Sequence, residues 1–93
     1  VLCSKGYPEK YKKGKVIKNL HKITLNKNST IFHAGTDLKN NKIIATGGRV
    51  LNITSMGNNF IKIRKNIFKI IKKINWIHGF YRKDIGWRVI KKI

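Results

Sequence analysis

Apolar residues from Phe60 to Ile74 fall at positions 60, 63, 67, 70, 71 and 74, a spacing that lays one stripe along a helix. The spacing predicts a helix over about 59–74. Asn58 or Asn59 can cap its start through a side-chain oxygen, and Lys72 and Lys73 suit the negative end of its dipole. Gly57 ends the segment before it. Upstream the pattern changes to short β-branched and apolar runs: Val1–Cys3, Thr30–His33 (TIFH), Lys42–Thr46 and Arg49–Ser55. Lys15–Leu20 reads as a short strand or a turn. SKGYPEKYKKG (4–14) is a Gly/Pro-punctuated loop with two tyrosines, and AGTDLKNNK (34–42) carries turn chemistry at Gly35, Asp37, Asn40 and Asn41. After the helix, NWIHGFYRKDIGWRVIKKI holds aromatics and a Gly-containing turn, then a strand or short helix.

Gly47, Gly48 and Arg49 interrupt the strand material in IIATGGRVLNITSMG (43–57). Paired glycines inside a strand suggest a bulge, a bend or a close approach by a ligand. Arg49 is then either an exposed charge beside a bulge or a group held there for a purpose.

Ninety-three residues make one domain, spanning 1–93, with a modest core. The 22 Lys and Arg against three acids give a formal charge of +19, which points toward nucleic acid, an anionic membrane surface or phosphate-bearing ligands. Composition offers another source for this charge. The chain holds 18 Lys, 16 Ile and 10 Asn, so 44 of 93 residues come from three types with A/T-rich codons. Drift in an A/T-rich genome would load a surface with Lys and Asn and a core with Ile. Without an initiator Met, and opening on VLCSKGYP, the chain is expected to be a piece of a longer protein. No apolar run is long enough to cross a bilayer, and a single cysteine, Cys3, fits a reducing, cytoplasmic setting.

Candidate chemistry is sparse. His21, His33 and His78 share no metal-ligand spacing, and no acidic cluster accompanies them, so no metal site is expected. Three acids leave little for general acid–base work, and no catalytic residue is assigned within this chain. Asp37 sits where it can bond its own backbone, and Asp84 sits where it can pair with Arg82 or Arg88. The Lys-rich helix could lie on a membrane, but its apolar stripe is what packing on a sheet requires. For nucleic acid, aromatics would have to alternate with basic residues on strands; Tyr7, Tyr11, Trp76, Phe80, Tyr81 and Trp87 fall instead in loops and near the C-terminus.

Four stretches in order, SKGYPEKYKKGKVI (4–17), TIFHAGT (30–36), GGRVLNITSMG (47–57) and FYRKDIGWR (80–88), resemble the C-terminal domain of the glycinamide ribonucleotide synthetases, or phosphoribosylamine–glycine ligases. The resemblance covers essentially the whole chain. It departs from the family at Glu9, where a small residue is usual, and in the helix, which is Ile/Lys-rich instead of Ala/Glu-rich. Those departures are the kind that drift produces.

The resemblance implies an α+β fold: a small, mostly antiparallel β domain with one amphipathic helix, of the rudimentary hybrid-motif type found at the C-terminus of ATP-grasp ligases. It implies an enzyme that joins glycine to 5-phosphoribosylamine in purine biosynthesis, using ATP and Mg²⁺ (or Mn²⁺) bound mainly outside this segment. The partners implied are the remaining domains of the same ligase and the two substrates, with no specific nucleic acid and no membrane. A stand-alone basic nucleic-acid-binding module is the alternative. Arg49, flanked by Gly47 and Gly48, becomes a candidate for the ribose phosphate, since a guanidinium fork matches phosphate oxygens. His33 and Gly35 become a turn beside the cleft, and Tyr81, Arg82 and Asp84 an internal polar network that docks the C-terminal tail.

Overall fold

The computed structural model describes residues 1–91, with side chains through Val89. Seven strands form two antiparallel sheets. Strands β1 (Leu2–Ser4), β3 (Ser29–His33), β6 (Arg49–Ser55) and β7 (Gly79–Phe80) make the larger, in the order β3-β6-β1-β7. Strands β2 (Lys15–Val16), β4 (Thr36–Lys39) and β5 (Lys42–Ala45) make the smaller, in the order β2-β5-β4. Helix α1 runs from Phe60 to Lys73, and a short helix α2 from Trp87 to Lys91. The expected α+β class, mostly antiparallel with one amphipathic helix, is what the chain adopts.

Helix α1 starts where Asn59 adopts an extended backbone and its side-chain oxygen accepts from the N–H groups of Ile61 and Lys62. Of the two asparagines, Asn59 is therefore the cap. Ile70 is buried and Ile63, Ile67, Ile71 and Ile74 are half-buried, while Lys62, Lys65, Lys69, Lys72 and Lys73 face solvent. Phe60, assigned to the stripe by its spacing, is largely exposed in the first turn, beyond the reach of the sheet. The stripe packs on β6 with Leu2, Val50, Leu51, Ile53 and Trp76, and Ile17 and Ala45 of the smaller sheet's side complete the core. Fully burying a Leu, Ile or Val side chain contributes on the order of 1.5–3 kcal/mol, and the Ala45 methyl and the half-buried isoleucines contribute less. Polar groups cross the same interface: Asn66 donates to the hydroxyls of Ser29 (2.9 Å) and Ser55 (3.0 Å), which lie opposite each other on β3 and β6.

The segment 34–42 is not all turn. Thr36–Lys39 forms strand β4, and only Asn40 and Asn41 make the hairpin turn to β5, with φ of 52° and 62°. Two consecutive positive φ values are the backbone of a type I′ turn, whose twist matches the flanking strands. A short, largely exposed strand on a sheet edge lacks the alternation that marks a half-buried one, and the Gly and Asn residues flanking it read as turn.

Candidate functional site

Two connections cross from one sheet to the other side by side, β3 to β4 through Ala34–Gly35 and β5 to β6 through Thr46–Gly48. At that crossing the backbones touch. The carbonyl of Val50 accepts from both Ala34 (3.0 Å) and Gly35 (3.1 Å), and the carbonyl of Gly35 accepts from Thr46 (2.8 Å). A Cβ on Gly35 would lie 2.5 Å from the carbonyl oxygen of Arg49 and 3.2 Å from the Cα of Gly47. Side chains do not fit between two backbones at this separation.

Of the bulge, bend or close approach expected at Gly47–Gly48, the bulge lies two residues further on, at Val50. Leu2 pairs with Leu51 and Cys3 with Arg49, so one residue step in β1 spans two in β6, and Val50 is the extra residue. Its carbonyl is the one that the HAGT turn (33–36) captures. Gly47 and Gly48 instead form the link between sheets, tied to β1 by Ser4, whose N–H donates to the carbonyl of Gly48 (2.7 Å) and whose hydroxyl donates to that of Gly47 (2.7 Å). The close neighbour of Gly48 is the chain's own Tyr7: a Cβ there would stand 2.1 Å from ring carbon Cδ2 and 2.6 Å from Cε2.

Three of the four sequence stretches thus converge on one place. Tyr7 and Tyr11 from the first loop, Ala34 from the second, and Gly48, Arg49 and Asn52 from the third line an open cleft of about 480 Å³, closed at one side by Val1. The Tyr7 and Tyr11 rings, 6.3 Å apart and tilted by 57°, form its wall. Arg49 is exposed, and its guanidinium makes no hydrogen bond or ion pair with the described residues. Its five N–H donors are available to a ligand. The sequence reading missed Tyr7, Tyr11 and Asn52 as cleft residues, although the motif that contains the tyrosines was visible.

The remaining candidates lie elsewhere. His33 is exposed at the end of β3, its Nδ1 2.8 Å from the hydroxyl of Thr36, which holds the turn and leaves the ring outside the cleft lining. Arg82 and Asp84 do pair, at 2.8 Å, but their side chains are 75% and 50% exposed, so the internal polar network is corrected to a surface pair. Hydrogen bonding from Arg82 holds the Asp84 carboxyl below the usual carboxylate range, and the same bond raises the Arg82 guanidinium. What fastens the C-terminal segment is Arg64, which donates to the carbonyl of Lys83 and lies over the ring of Phe68, which in turn meets Tyr81 at 5.8 Å. Acidic residues are scattered: Asp37 accepts from the N–H of Leu38 within β4, and Asp84 is paired. Among the described residues no three His, Cys, Asp or Glu side chains converge. No described helix is long and apolar enough to cross a membrane.

Residues 1–88 match the family described as phosphoribosylglycinamide synthetase, C domain. The chain is 44% identical over 92 residues to the phosphoribosylamine–glycine ligase of Brucella melitensis and 42% identical over 94 residues to the chloroplastic ligase of Arabidopsis thaliana. Each alignment covers 99% of this chain, but only 22% and 18% of those proteins, so the chain spans about a fifth of the relatives it matches. The crystal structure of the phosphoribosylamine–glycine ligase from Thermotoga maritima superposes with a TM-score of 0.74 at 33% identity, over 90% of this chain and 20% of that one. The chain belongs to the phosphoribosylglycinamide synthetase C-domain family.

Proposed function

We propose that this chain serves as the C-terminal domain of a phosphoribosylamine–glycine ligase, which joins glycine to 5-phosphoribosylamine with ATP and Mg²⁺ in purine biosynthesis, and that Arg49 binds the substrate's phosphate. The observation that carries this reading is the unpaired guanidinium of Arg49 in a cleft assembled from three of the family's sequence stretches. A guanidinium presents paired N–H donors that meet two phosphate oxygens at once. Asn52 adds an amide that can donate to or accept from a sugar hydroxyl, and the tyrosine wall gives the sugar an amphipathic surface. In this reading catalysis, ATP and the metal belong to the rest of the ligase.

Docking to those other domains has physical support in the shape of the molecule. Its extents are 44 × 30 × 17 Å, and 17 Å is little more than one sheet and one helix thick. Helix α1 covers one face of the larger sheet. The other presents Phe32 (54% exposed), paired with Asn52 across β3 and β6, and Cys3, paired with Arg49 and Phe80. A partly apolar face around Arg49 is what a domain closing over a cleft would cover. The setting for such a ligase is the cytoplasm in bacteria or an organelle, as the name of the Arabidopsis relative states for that protein.

The test is Arg49→Ala in the complete ligase. The KM for phosphoribosylamine should rise by about tenfold or more, the loss of one charge-assisted phosphate contact, while the KM for ATP stays within twofold. A change confined to ATP would remove Arg49 from this role.

A further inference from the structure

We propose a second anion site on the opposite side of the Tyr7–Tyr11 loop from Arg49, built from Lys5, Lys10, Lys12 and His78 and suited to the phosphate of a small molecule. These residues and Tyr11 line a cleft of about 420 Å³. The site does not depend on the Arg49 reading. Strand β1 separates the two clefts, because Cys3 pairs with Arg49 on one side and with Phe80 on the other, and Tyr11 lines both. Two strand spacings put Arg49 and the β7 side roughly 10 Å apart.

The backbone holds this cluster together. The N–H of Lys5 donates to the carbonyl of His78 (2.9 Å), which sets these two residues side by side at the edge of the sheet. Gly6, at φ 100°, lets the carbonyl of Lys10 come within 2.0 Å of where a Cβ would stand, so the loop folds back and brings Lys10 and Lys12 over the same cleft. Chance placement in a basic chain does not account for the concentration. The whole chain has 22 Lys and Arg and three His in 93 residues, but four of the five residues lining this cleft are of these types. The lysines of α1 are dispersed instead: the three clefts beside that helix take in Lys62, Lys69 with Lys73, and Lys72 respectively. The one ion pair among the described residues joins Arg82 to Asp84, so the lysines of this cleft have no carboxylate partner there. Three lysines lining one cleft concentrate positive charge there, and lysine is a regular phosphate ligand as a point charge.

The test is amide-resolved NMR on the 93-residue chain at about 0.15 M salt, where long-range attraction is largely screened. Inorganic phosphate, diphosphate and ribose 5-phosphate are titrated in separate arms, which distinguishes a free anion site from one that needs the sugar. The expected result is saturable shifts at Lys5, Lys10, Tyr11, Lys12 and His78. Affinity read at Lys5 and His78 should fall roughly five- to tenfold in Lys10→Gln/Lys12→Gln, both exposed loop positions, and stay unchanged in Lys65→Gln, an exposed lysine of α1 outside both clefts. Equal affinity in Lys10→Gln/Lys12→Gln overturns the site, as do unsaturable shifts spread over Lys62–Lys73. Shifts confined to Arg49 and Asn52 would overturn it too, while leaving the Arg49 reading intact.

Discussion

Gly48 and Tyr7 act as a pair, and the consequence can be tested one residue at a time. A methyl group on Gly48 meets ring carbons of Tyr7, not backbone, so the ring must leave the cleft wall. Gly48→Ala should therefore destabilise the fold by about 1–3 kcal/mol, the usual cost of overpacking. Gly47→Ala, whose nearest contacts would be 3.5 Å away, should cost less than about 1 kcal/mol. Removing the ring tests the mechanism: Gly48→Ala should cost markedly less in a Tyr7→Ala background, and a chemical-denaturation cycle over the four variants measures that coupling. Additive losses would show that the glycine is kept for another reason. The sequence displayed both members but not their contact, because nothing in residue order says that position 7 returns to position 48. A glycine kept for a neighbour's ring and one kept for a bulge look alike in a string of letters.

At the scale of elements, legibility followed periodicity. Helix α1 could be read almost to the residue because six apolar positions and a capping amide agree with one another. Asn58 and Asn59 were equivalent as letters. The structure separates them, since only the Asn59 oxygen reaches the N–H groups of Ile61 and Lys62. Asn59→Ala should cost about 1 kcal/mol and lower Tm by roughly 4–8 °C, while Asn58→Ala should leave Tm within about 2 °C. Equal losses on thermal unfolding by circular dichroism would refute that assignment. Strand β4 was hidden because four residues, largely exposed on both faces, show no buried alternation, and β7 because two residues carry no period. Both are held by pairing with neighbours distant in sequence or across a turn, which is tertiary information. The crossing of the two connecting segments at Gly35 and Gly47 was equally hidden, although each glycine was noticed.

At the scale of the molecule, the excess charge has to be reconciled with a folded state. Twenty-two cationic side chains and three acids occupy a surface of 7158 Å², and most of those cations have no partner to offset their mutual repulsion. Self-repulsion in the compact state weakens stability, and salt relieves it as the Debye length falls from about 30 Å at 0.01 M to about 8 Å at 0.15 M. Raising NaCl over that range should increase Tm by several degrees, the reverse of what a protein held by surface ion pairs would show. The same titration separates drift from selected nucleic-acid binding. Oligonucleotides should bind at low salt through charge alone, without sequence preference, and log K should fall steeply with log salt until binding is lost near 0.15 M. Tight binding that survives at that concentration and discriminates between sequences would require base-reading contacts. Phe32, exposed on the outer sheet face beside Asn52 and near Arg49, is the stacking platform to which such contacts would have to be traced, so Phe32→Ala should then abolish them. Loss of binding in physiological salt, with Phe32→Ala behaving as the parent chain, leaves most of the charge as a property of composition, outside the two clefts proposed for phosphate.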